Sequence, residues 1–219
     1  PFNGILDGRG KTISNITVVG GEGVKGLFGT LGSSAKIMNI TFKNVKIVSA
    51  DGIQYVGVIA GKNSGGTIVD VTIENYEITG GINIGGAVGL NNGIIENVKV
   101  INTDKTFKNI NTSNNQVTKV GGIVAVNKGT ISSSSNSVEL TLQKNDDTDT
   151  YVGGIAGDNS GYISETTCTS SILSKAANNR VGGIVGFNTG KINRVAYKGS
   201  ITGNTDNNNN YVAGIAGYN

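Results

Sequence analysis

The chain has 219 residues, with 18 Lys and Arg against 15 Asp and Glu; a net charge of +3 without a basic run excludes electrostatic nucleic-acid binding. Its 35 glycines beside one proline exclude collagen, and the regular aliphatic residues exclude a disordered linker. No apolar run reaches membrane-spanning length, the single cysteine cannot form a disulfide within the chain, and the lack of histidine excludes a His-based zinc centre, a Ser-His-Asp triad and a Cys-His pair.

In chain order, residues 1–23 read as an opening segment of one or more strands and a first partial coil. From Val24 the string V-G-G-I-x-G-x-N recurs, at Val24, Val56, Ile84, Val120, Val152, Val181 and Val212, at intervals of 32, 28, 36, 32, 29 and 31 residues. A period of this length marks a solenoid, in which a unit too small to bury its own apolar face stacks on copies of itself. Residues 24–219 are therefore expected to form one continuous all-β domain of about seven coils. Because solenoids need polar caps and this chain stops directly on a motif, it reads as a segment of a longer protein.

Within each copy, the Val-to-Gly run has the length of one short strand, closed by Asn-x-Gly. The closing asparagines are Asn63, Asn91, Asn127, Asn159, Asn188 and Asn219, followed two positions later by Gly65, Gly93, Gly129, Gly161 and Gly190. Both residue types tolerate left-handed backbone, so the turn is expected to use it. Stacked in register, the asparagines would lie about 4.8 Å apart and pass amide hydrogen bonds up a ladder, a structural role that needs no ligand.

The following strand alternates. Its third column reads Ile40, Val71, Val98, Ser134, Thr166, Val195 and its fifth Phe42, Ile73, Val100, Asn136, Cys168, Tyr197, with Thr41, Thr72, Lys99, Ser135, Thr167 and Ala196 between them. The first two columns are expected to face inward, which makes Cys168 a small buried hydrophobe rather than a reactive thiol. In the motif strand both parities are apolar. Lys25, in a column otherwise of Gly and Ala, suggests that the parity of Leu27 and Ile155 points outward, either covered or as a docking stripe. In the fourth copy Ala125 replaces the last glycine, and the polar run Ser132–Asn136 predicts a weak or distorted rung.

Length varies between the second strand and the next motif, at Asn102–Lys119, Gln143–Thr150, Ser174–Arg180 and Gly203–Tyr211. Insertions at equivalent places project from one side, so these loops are the expected binding face, with Asn102, Lys105, Phe107, Lys108, Asp146, Asp147 and Asp149 as candidate contacts. The run Asn145–Asp149 clusters oxygen ligands but lacks the spacing and distal Glu of a calcium loop, so it reads as a solvated acidic loop and no metal site is assigned. Asn207–Asn210 reads as a loop tip. The column Asn39, Asp70, Asn97, Ser133, Glu165, Arg194 is the nearest approach to a catalytic groove, with Glu165 and Arg194 as neighbours; a surface ion pair explains them more simply. The threonines of the outward column are too irregular for an ice-binding array.

The motifs resemble the GLUG-type repeats of large bacterial surface and secreted proteins, including adhesin-like proteins and the non-catalytic region of immunoglobulin-A-cleaving metallopeptidases. Gly26-Leu27-Phe28-Gly29 is the namesake string, and Phe2–Ile16 is similar to the stretch that precedes a first repeat. The resemblance implies a right-handed parallel β-helix and a non-catalytic, extracellular stalk or adhesive scaffold without a cofactor. It would contact flanking domains of its parent and a host protein or glycan, and neither nucleic acid nor the membrane interior. The alternatives are a carbohydrate-active β-helix, binding or cleaving a polysaccharide, and an accessory region that positions substrate for a peptidase.

Overall fold

The structure is a computed structural model. It describes all residues except 21, 51, 113–116, 144–148, 177 and 205–209, and at 111 and 112 the backbone alone. Among the described residues there is no helix. The strands form three parallel sheets, of fifteen, seven and six strands. Each turn of the chain contributes to all three, so the molecule is a β-solenoid of about six turns.

The fifth motif shows how one coil is made. Asp149–Gly153 lies in the six-stranded sheet, Ala156–Asn159 in the seven-stranded sheet, and Tyr162–Ser164, Thr167–Cys168 and Ile172–Ser174 in the fifteen-stranded sheet. The motif is thus two strands with a corner at Gly154-Ile155, not one strand. The corner explains why both parities are apolar, since Val152 before it and Ile155 within it are each 0 % exposed in one core. The expectation that the parity of Leu27 and Ile155 faces outward is wrong: Ile59, Ile123, Ile155 and Ile184 are all buried. Lys25 misled because the first copy is slipped by one residue. It pairs with Val56 rather than Gly57, while Phe28 and Leu31 regain register with Ala60 and Asn63.

Glycine is required at the corner for lack of space rather than for a positive φ. A Cβ on Gly122 would sit 2.1 Å from Asn136 Nδ2 and 2.2 Å from the Gly154 carbonyl oxygen. At the equivalent Gly154 and Gly183 the obstacles include Cys168 Sγ and the Tyr197 ring, so the corner glycine makes room for the fifth-column side chain of the long strand.

The asparagine ladder is continuous. Asn63 Nδ2 donates to Asn91 Oδ1, and the pattern repeats from Asn91 to Asn127, Asn159, Asn188 and Asn219 at 2.6–2.9 Å. Each amide from Asn63 to Asn188 also donates to a carbonyl of its own turn, such as Gly93 from Asn91 and Gly129 from Asn127. The backbone at these asparagines is not left-handed, and of the glycines that follow only Gly65 has a positive φ. The other four are held to glycine by contact with the coil below; a Cβ on Gly129 would lie 2.1 Å from the Gly93 oxygen. Left-handed backbone occurs instead at Asn39, Asp70, Asn97, Ser133, Glu165 and Arg194, with φ of 48–55°. It kinks the long strand at one height in every coil. A second column, Asn15, Asn44 and Asn75, repeats the conformation in the first coils and carries a short amide ladder of its own.

The inward columns are as expected, with Ile40, Val71 and Val98 at no more than 4 % exposed and Cys168 at 0 %. The fourth rung is not distorted, because Thr130–Ser132 and Ser135–Asn136 pair in register with both neighbours. Its polar residues turn inward and bond to backbone: Ser134 Oγ accepts from the Val98 N–H and donates to the Ser132 oxygen, and Asn136 Nδ2 donates to Gly154. A satisfied polar group is tolerated inside, which hydrophobicity alone does not register.

Candidate functional site

The fifteen-stranded sheet carries one loop that later coils lack. Between Ile94–Ile101 and Asn109–Thr112 lie residues 102–108, whereas in the next coil residues 137–139 alone link Ser135–Asn136 to Leu140–Leu142. The stretch Asn102–Lys119 is therefore not a single loop, since the strand Asn109–Thr112 divides it.

Residues 102–108 are fastened to the coil below. The Thr103 N–H donates to Asn75 Oδ1 at 2.7 Å, the Asp104 N–H to the same oxygen at 3.0 Å, and the Thr103 hydroxyl to Glu74 at 2.8 Å. Inside the loop, Asp104 accepts from the backbone N–H and hydroxyl of Thr106, which hold its carboxyl below the ordinary carboxylate range, and Asn102 Nδ2 donates to the Phe107 oxygen. A loop so tied is pre-organised, which lowers the entropic cost of binding.

Between this loop and Ser137, Glu139 and Thr141 of the next coil is a recess of about 440 Å³. Asn102, Lys105, Phe107 and Lys108, all nominated from sequence, line it together. The Lys46 ammonium lies 5.5 Å from the Phe107 ring centroid. In the wall, Asn109 is 5 % exposed with left-handed backbone, and its Oδ1 is buried without a hydrogen-bond partner. The sequence could not have supplied Ser137, Glu139 and Thr141, which reach the recess only through stacking. Asp149 is not in this group. It lies on the six-stranded sheet, 2.8 Å from Arg180 Nη1. Asp146, Asp147 and the rest of the acidic run before Asp149 lie outside the described residues.

The candidate groove forms an ion pair. Glu165 Oε1 lies 2.5 Å from Arg194 Nη2, with side chains 48 % and 71 % exposed, and Glu165 also accepts from the Ser133 hydroxyl at 3.3 Å. The other carboxylate of the column, Asp70, is three coils away, about 14 Å at the spacing of parallel strands, beyond the roughly 5–9.5 Å that separates glycosidase carboxylates. Tyr162, Lys191 and Arg194 border an open recess of about 980 Å³, where the Asn193 amide, donating to Tyr162 Oη at 3.3 Å, holds the phenol below its ordinary range. Burial pushes the Cys168 thiol up and disfavours the thiolate, outweighing the opposing contact of its Sγ, 2.9 Å from Ser170 Oγ.

An unforeseen aromatic column borders the six- and seven-stranded sheets. Tyr151 stacks on Phe187 at 5.1 Å and Phe187 on Tyr218 at 5.3 Å, with the Arg180 guanidinium 5.1–5.9 Å from those rings and Tyr211. The inner ring faces are taken up by one another, so the column braces the coils.

Among the described residues no cluster of His, Cys, Asp and Glu could hold a metal, and no helix is long and apolar enough to cross a membrane. No family model and no solved structure matches the chain. Over 106 residues, 47 % of its length, the chain is 35 % identical to a protein named Halomucin from Haloquadratum walsbyi (strain DSM 16790 / HBSQ001), and it spans about 1 % of that relative's length.

Proposed function

We propose that the chain is a non-catalytic scaffold segment of a surface-anchored or secreted protein, a stiff spacer of GLUG-type repeats that presents binding loops on one side. We take its winding as right-handed, the sense that parallel crossovers adopt, and its seven motifs as seven rungs. The observation that carries the reading is the sustained register: from the second motif onward equivalent residues pair from coil to coil in three sheets, and the amide column is continuous from Asn63 to Asn219. Such a body resists bending and leaves its inserted loops as the variable part. The partial match to a protein named as a mucin fits a place at the cell exterior. Treating intact source cells with an impermeant protease, then probing with antibody to residues 102–108, tests it; retention of the full signal without lysis would overturn the extracellular placement.

A carbohydrate-active reading rests on Tyr162, Lys191 and Arg194 around one open recess. It requires measurable depolymerisation of an acidic or neutral polysaccharide that disappears in Arg194→Gln. We favour the scaffold because Glu165 and Arg194 neutralise each other.

A further inference from the structure

We infer that the recess between residues 102–108 and the next coil is a subsite for an acidic glycan, a polymer of sugars bearing carboxylates. This rests on the scaffold reading and names the ligand class of its binding side. Three features select that chemistry. The loop is fastened to Asn75 and Glu74 of the preceding coil, away from Ser137, Glu139 and Thr141 of the next, so the recess of about 440 Å³ between them exists before any ligand arrives. Its lining joins an aromatic ring, two ammonium groups, two hydroxyls and a carboxylate, in Phe107, Lys105, Lys108, Ser137, Thr141 and Glu139. Sugars need a flat apolar surface for their C–H face and mixed donors and acceptors for their hydroxyls, and two lysines against one glutamate favour a ring that also carries negative charge. The third feature is Asn109, whose buried Oδ1 lacks a donor in the recess wall. Leaving a buried acceptor unpaired is unfavourable, so a hydroxyl entering with a small shift of the wall gains a bond that the protein alone does not supply.

A neutral glycan would leave the lysines unused, and a nucleic acid would need the extended basic surface that the net charge of +3 does not supply.

The test measures retention and titration of the 219-residue chain on polygalacturonate, with dextran as the neutral polymer. The expected result is saturable binding to polygalacturonate, weak or no binding to dextran, and an affinity about tenfold lower at roughly 0.5 M salt than at 0.05 M, because exposed charges are screened beyond a few ångströms there. Phe107→Ala and the pair Lys105→Gln with Lys108→Gln should each reduce affinity about tenfold with unchanged circular dichroism and denaturation midpoint. Asn109→Gly keeps the left-handed backbone available while removing the acceptor, and should reduce it about threefold. Equal binding to both polymers, or equal losses from Lys191→Gln at the distant recess, would overturn the assignment. Absence of binding to either polymer would overturn it too, leaving the scaffold to stand on the protease experiment.

Discussion

Two columns of polar residues run the length of this solenoid, and they obey different rules. From Asn63 to Asn188 the ladder is uniform because its side chains are buried, with Asn63 to Asn159 at 0 % exposed, and only a primary amide supplies a donor above and an acceptor below at each level. The column of Asn39, Asp70, Asn97, Ser133, Glu165 and Arg194 demands a backbone conformation alone, and its exposed side chains vary freely. One column is selected by hydrogen bonding and the other by φ. Side-chain identity is strict only where water is excluded.

The contrast can be broken most severely at the corner that packs against the columns. Gly122→Ala should destabilise the chain by about 3 kcal/mol or more, since its Cβ would enter Asn136 and the Gly154 carbonyl. Gly214→Ala, with nothing within 4 Å, should shift the urea midpoint little; equal shifts would refute the packing account. Next comes the ladder. Asn127→Leu removes the acceptor for Asn91 and the donor for Asn159 and should cost about 2–4 kcal/mol in chemical denaturation. Asn219→Ala, where the side chain is exposed and accepts one ladder bond from Asn188, should cost under about 1 kcal/mol. Smallest is the left-handed column, where Ser133→Gly should stabilise by up to about 1 kcal/mol by relieving positive φ, less the entropy that glycine restores to the unfolded chain. A loss of more than about 1 kcal/mol at Ser133 would mean that its side chain matters as much as those of the ladder.

The stacking, the core columns around Val71 and Ile73 and the ladder were legible in the sequence, because a fixed period places like residues above one another. The corner was not. A Gly-Gly-Ile string has the same alternation whether the strand runs straight or turns, and the distinction lies in backbone contact between coils. The kink at Glu165 was hidden for a different reason, since six residues of four chemical types share only a dihedral angle. The one-residue slip at Lys25 needed hydrogen-bond geometry to see. At the recess, Phe107 and its loop stood out as an insertion, while Glu139 and Thr141 look like ordinary surface positions until their coil is stacked on the preceding one.

Every amide in the long ladder donates in the same direction along the axis, so the stack is electrically polar, much as aligned peptides make a helix polar. Successive members polarise one another, and the column has an end at Asn63, where Leu31 of the preceding coil offers no donor. Under tension or denaturant such a column gives way first at that unpartnered end, while members bonded on both sides hold.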